Sequence, residues 1–96
     1  MSTRDAYKQK IEAELDLAQA KLVELKAKAE ISAADARINF ARLTDDLEKS
    51  YDATKLKLKE LDESRDDAWE MLKEGVEKSW GELKQAVGDA SAKFKG

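Results

Sequence analysis

The chain has 96 residues, 41% charged and 42% hydrophobic, with 18 basic and 21 acidic side chains for a net charge of −3. That length allows one domain at most. Without proline, cysteine or histidine there are no disulfides, thiol nucleophiles or Cys- or His-held metals, and the commonest general base is missing.

The charges are spread along the whole chain, with no strongly basic region to follow a nucleic-acid backbone, so no nucleic acid is expected as partner. Ala, Glu, Lys, Leu and Arg make up 55 of the 96 residues, more than the roughly half that marks a coiled coil or long helix. The opening MSTRDAYKQK lacks the apolar core of a secretory signal. No apolar run reaches the roughly 18 residues of a membrane span, and no acylation or prenylation pattern is present. A cytoplasmic location is the default expectation. Ser2 and Thr3 are candidate N-caps, with Asp5 favourable in the first turn.

From Ile11 onward, alternating steps of four and three visit Leu15, Ala18, Leu22, Leu25 and Ala29. The same steps continue through Ala33, Ala36, Phe40, Leu43 and Leu47, then Tyr51, Thr54, Leu58, Leu61 and Arg65. Each cycle is 18 residues, about five turns at 3.6 residues per turn, so the stripe runs nearly parallel to the helix axis. A fainter line of Ala13, Ala20, Ala27, Ile31, Ile38 and Leu56 lies on the back, which suggests three or more helices around the first half.

Past Arg65 the period is eleven: DDAWEMLKEGV (66–76) is followed by EKSWGELKQAV (77–87). The stripe keeps its phase through Trp69, Leu72, Val76, Trp80, Leu83, Val87 and Phe94. Lys73, Lys84 and Lys95 line one flank, and Ala68, Gly75, Ser79, Ala86 and Ala90 line the other. Small residues admit a second helix, which favours protein packing over lipid. Residues 65–96 carry six basic and seven acidic side chains, so anionic membranes gain no net attraction. Lys93, Lys95 and Gly96 read as the C-terminal stop.

The weakest internal point is 62–67, where Ser64 and Asp67 fit a capping pattern and Arg65 interrupts the stripe. Ser32 and Asp35 fit the same pattern inside a segment read as helix. No Gly, Pro or Asn lies at 62–67 to reverse the chain tightly. Uninterrupted phase favours one straight helix, roughly 135 Å long for about 90 residues. The alternative is a hairpin turning at 62–67.

No catalytic, cofactor-binding or metal-binding residues are expected. The pairs Asp45-Asp46 and Asp66-Asp67 diverge by about 100° on a helix and do not converge on one substrate. No phosphate-cradling glycine loop is present.

MSTRDAYKQK and the tail DDAWEMLKEGVEKSWGELKQAV resemble a group of small, uncharacterised bacterial coiled-coil proteins. The tail is also similar to the 11-residue amphipathic repeats of exchangeable apolipoproteins and some desiccation-stress proteins. Neither resemblance implies a catalytic or ligand-binding residue.

The expected fold is all-α: a long amphipathic helix in a near-straight coiled coil or helical bundle, the alternative being a hinge or hairpin turn near 62–67. A single coiled-coil unit spans 1–96, divided into a long helix over 1–63 and an 11-mer repeat helix over 65–95. The expected function is that of a non-enzymatic structural or interaction protein. It self-associates as two to four chains through Ile11, Leu15, Leu22, Leu25, Phe40, Leu43, Leu47, Leu58, Leu61, Trp69, Leu72, Val76, Trp80, Leu83, Val87 and Phe94. An unidentified protein partner is compatible with this reading. The alternative is a reversible lipid-surface or stress-protective amphipathic helix.

Overall fold

Three stretches of helix-favouring residues repeat apolar positions at steps of three and four, and each forms a helix. The computed structural model describes residues 3–95, Lys95 by its backbone alone. It contains α1 (Thr3–Glu30), α2 (Ala34–Asp62) and α3 (Trp69–Lys95), with no strand among the described residues. The candidate cap at Ser2 and the stop at Gly96 lie outside the described residues. The three helices pack as one bundle, α3 chiefly against α2 and less extensively against α1. A 28-residue helix is about 42 Å long, which accounts for overall dimensions of 50 × 20 × 17 Å. The radius of gyration of 15.4 Å exceeds the roughly 12–13 Å of a globular domain of this length. The molecule is thus a short cylinder, and the straight 135 Å rod is not observed.

The stripe supplies the core. α1 buries Ile11, Leu15, Ala18, Leu22, Leu25 and Ala29, and α2 buries Thr44, Leu47, Tyr51, Thr54, Leu58 and Leu61. α3 buries Val76, Ser79, Leu83 and Ala90. Leu25, Leu47, Leu61, Leu83 and Val76 are the largest wholly apolar side chains fully removed from solvent. Each such burial is worth about 1.5–3 kcal/mol before the entropy of ordering is counted. The back line of alanines, Ile31, Ile38 and Leu56 stays on the surface, with Ile31 85% and Ile38 67% exposed. Three helices do surround the core, but the front stripe alone assembles them.

The long helix expected over 1–63 is divided at 31–33. Ser32 N–H donates to the Ala29 carbonyl at 3.3 Å, tightening the last turn of α1, and the Ser32 hydroxyl donates to the same oxygen at 2.6 Å. Ala33 is then extended (φ −60°, ψ 151°), and its carbonyl accepts from Ala36 N at 3.0 Å and Arg37 N at 2.8 Å to start α2. Ala33 at the N-cap of α2 makes no side-chain cap, and Ser32 of the capping pattern serves the preceding helix instead, while the Ala36 N–H donates to Asp35 Oδ1 at 3.1 Å.

The second reversal lies where the hairpin alternative put it. The Ser64 hydroxyl donates back to the Leu61 carbonyl at 2.6 Å, and α3 begins at Trp69. Neither turn uses a positive φ, for no described residue has one. Phase continuity was compatible with these breaks because each helix of a bundle needs only its own stripe. The rotation between successive stripes is absorbed by the turn.

Candidate functional site

All sixteen residues expected at an intermolecular interface lie in or against the core of one chain. Ile11, Leu15, Leu22, Leu25, Leu47, Leu58, Leu61, Val76 and Leu83 are buried. Leu43, Trp69, Leu72, Trp80, Val87 and Phe94 are partly buried and packed against them. Phe40 is half-buried and packs its ring on Phe94, with centroids 4.3 Å apart and planes tilted by 49°. The stripe therefore meets itself inside the monomer.

The flanks of α3 face different neighbours. On the lysine side, the Lys73 ammonium sits 5.0 Å from the centre of the Tyr7 ring on α1. On the small-residue side, Ser79 reaches α2, where its hydroxyl lies 2.6 Å from that of Thr54. Thr54 donates to the Ser50 carbonyl at 2.9 Å, so the consistent arrangement has Ser79 donating to Thr54. Both hydroxyls are buried, and pairing removes the cost of an unbonded polar group in the core. Gly75, on the same flank, has open space where a side chain would stand.

A side-chain clasp closes one end of the bundle. Arg4, in the first turns of α1, donates to Asp66 Oδ1 at 2.8 Å, to the Ser64 carbonyl at 2.9 Å and to Ser64 Oγ at 3.2 Å. Its guanidinium also lies 4.4 Å from the centre of the Trp69 ring, within cation–π range. Tyr7 meets Trp69 edge to face at 5.8 Å. Lys8 pairs with Asp62 at 2.9 Å. The Tyr7 hydroxyl is buried and has no hydrogen-bond partner among the described residues. Burial first, and then the Glu77 carboxylate on α3, push its pKa up to about 12. Tyr7 was missing from the expected stripe, although one four-residue step back from Ile11 reaches it.

Between α1 and α2 runs an open groove of about 630 Å³. Leu15, Tyr51 and Leu58 form its floor, Leu56 stands on its lip, and Lys8, Glu12, Asp16, Gln19, Asp52, Lys55, Lys59 and Asp62 complete its walls. The groove continues past Gln19, Tyr51 and Asp52 into a smaller hollow of about 320 Å³ beside Val23, Lys26 and Glu48. Hydrogen bonding to Asp62 raises the Lys8 pKa, and hydrogen bonding to Glu48 raises that of Lys26. Lys28 and then Lys21 hold the Glu24 carboxyl below its ordinary range. All three groups are solvated, so these pairs contribute little to stability. Among the described residues no three acidic side chains converge in a way that would hold a metal ion. The groove has buried apolar side chains in its lining and mixed charge on both helices.

No family model matches the chain, and neither a curated protein nor a solved structure matches it.

Proposed function

We propose that the chain is a non-enzymatic structural and interaction protein that self-associates through its apolar helical stripe. One observation carries the reading. The stripe surfaces of α1, α2 and α3 are mutually complementary, burying Leu25, Leu47, Leu61, Val76 and Leu83 against one another. A helix that fits its own neighbours also fits the same neighbours in a second copy. With the stripe occupied inside the monomer, self-association shares it between chains, and the assembly size depends on protein concentration. Size-exclusion chromatography with light scattering on untagged protein tests this, at several concentrations and after refolding from denaturant at high concentration. A multiple of the monomer mass is expected to appear at the higher concentrations. A monomer under every condition would reject the reading.

A second reading is a reversible lipid-surface helix. It is favoured by the apolar side chains outside the core, with Leu17 74% and Met71 69% exposed. No described helix is long and apolar enough to cross a membrane, so any lipid contact is at the surface. Vesicles of zwitterionic and of anionic lipid, followed by tryptophan fluorescence, separate the two readings. A blue shift on vesicles without any change of protein mass supports the lipid reading.

A further inference from the structure

The two turns of the bundle are built differently. The α2–α3 turn is pinned by Arg4, which holds Ser64 and Asp66 and covers Trp69. Among the described residues the α1–α2 turn has local bonds only: backbone bonds within 27–37, the Ser32 hydroxyl to the Ala29 carbonyl, Arg37 Nη2 to the Ser32 carbonyl at 3.4 Å and the Ala36 N–H to Asp35 Oδ1. Its reversal centres on Ala33, whose ψ of 151° leaves the helical region. Ile31, Ser32 and Ala33 all tolerate helix, and no glycine, proline or positive φ commits the chain to turn there. Ile31 sits exposed at this turn, with 85% of its surface in solvent. The stripe also keeps its phase across the break, from Ala29 through Ala33 and Ala36 to Phe40.

We infer that the α1–α2 turn is a hinge, and that a second copy of this chain is the partner it admits. Returning Ala33 and its neighbours to helical angles joins α1 and α2 into one helix over 3–62, about 90 Å long. Two such helices lie antiparallel, and α1 of each copy takes its place against α2 and α3 of the other. Every core contact of the monomer is remade, including the Arg4 clasp, now between chains. At the crossing point the stripe residues are Ala29, Ala33 and Ala36, small enough for two helices to pass closely. Such exchange requires little new interface, because the interface already exists inside the monomer. The inference rests on the self-association reading and specifies how that association is made.

Proline at 34 separates the two states. Ala34 is the first residue of α2, where a missing N–H costs nothing, and extended Ala33 already has the conformation that precedes proline. In the joined helix the same proline would remove a hydrogen bond and collide with the carbonyl of Glu30. The full chain is refolded at high concentration and its dimer isolated by size exclusion. Ala34→Pro is expected to lower the dimer association constant by about a hundredfold or more while the monomer keeps its helical circular dichroism. Ser32→Ala, which removes the turn's hydroxyl bond, is expected to raise it.

A second arm does not depend on the proline. Lys26 of α1 and Glu48 of α2 form an ion pair in the bundle. The chain has no native thiol, so Lys26→Cys with Glu48→Cys offers one pair for a short bismaleimide linker. In an exchanged dimer the linker joins two chains and gives a doubled mass on a denaturing gel. A dimer whose linker stays within single chains, or one indifferent to Ala34→Pro, overturns the exchange and leaves self-association standing. Absence of any dimer after refolding at high concentration overturns both.

Discussion

The Tyr7 phenol is stabilised in its protonated form by burial, with Glu77 opposing the phenolate. Its pKa is about 12 in the folded chain, against about 10 when unfolded. The folded state therefore holds this proton more tightly. The corresponding stability is intact below about pH 10 and is lost between about 10 and 12, as the unfolded chain ionises first. Absorbance titration is expected to show a phenolic step near 12, and the urea midpoint should fall across the same interval. Tyr7→Phe should remove part of that fall. At neutral pH the variant keeps the edge-to-face contact with Trp69 and loses only the hydroxyl's approach to Glu77, which falls short of hydrogen-bond geometry, so its stability should change little. A loss above about 1 kcal/mol would mean that the hydroxyl does donate a hydrogen bond.

Helix α3 contains Gly75, Gly81 and Gly88 within its span, all with ordinary helical backbone, and an added methyl at each would meet nothing within 4 Å. Glycine in a helix interior costs about 0.5–1 kcal/mol relative to alanine. Replacing all three by alanine should raise Tm by on the order of 10 °C in a thermal melt. A fall in Tm would show that the backbone must approach something closely at one of these positions. The elements were readable in sequence to differing degrees. The steps of three and four identified the buried face of α1 and α2 nearly residue by residue, because burial and periodicity have the same cause. The reversal at 31–33 was not legible, because Ile31-Ser32-Ala33 has no breaker and a rod or a bundle buries the same stripe. Serine-acid spacing falls at both turns, but at 32–35 it lies inside a segment read as helix, and Ser32 and Ser64 each bond backward, to Ala29 and Leu61, rather than capping the next helix. The Arg4 clasp and the α1–α2 groove were not legible either, because they join residues brought together only by folding back.

At the scale of the molecule, the core is one continuous cluster drawn from all three helices. No helix has a private core to fall back on, so the chain should unfold in one cooperative step. Trp69 and Trp80 both belong to α3, whereas the far-ultraviolet signal comes from all three helices. Their urea transitions are expected to coincide. An earlier fluorescence transition would show α3 detaching while α1 and α2 remain paired.

The pairing of Thr54 with Ser79 also bears on the handedness of the bundle. Two Leu- and Ala-rich helices joined by a short turn offer a third helix a seat on either side, and apolar contacts discriminate poorly between mirror-related arrangements. With α3 on the opposite side, its lysine flank would turn toward α2 and Ser79 toward α1. Beyond its first residue, Thr3, α1 carries no serine or threonine. Ser79 would find no serine or threonine hydroxyl at its level of α1, where the residues are those of an Ala- and Leu-rich helix, and Thr54 would lose its partner. Two small polar groups thus favour one of two oppositely handed topologies that the hydrophobic pattern alone leaves nearly degenerate.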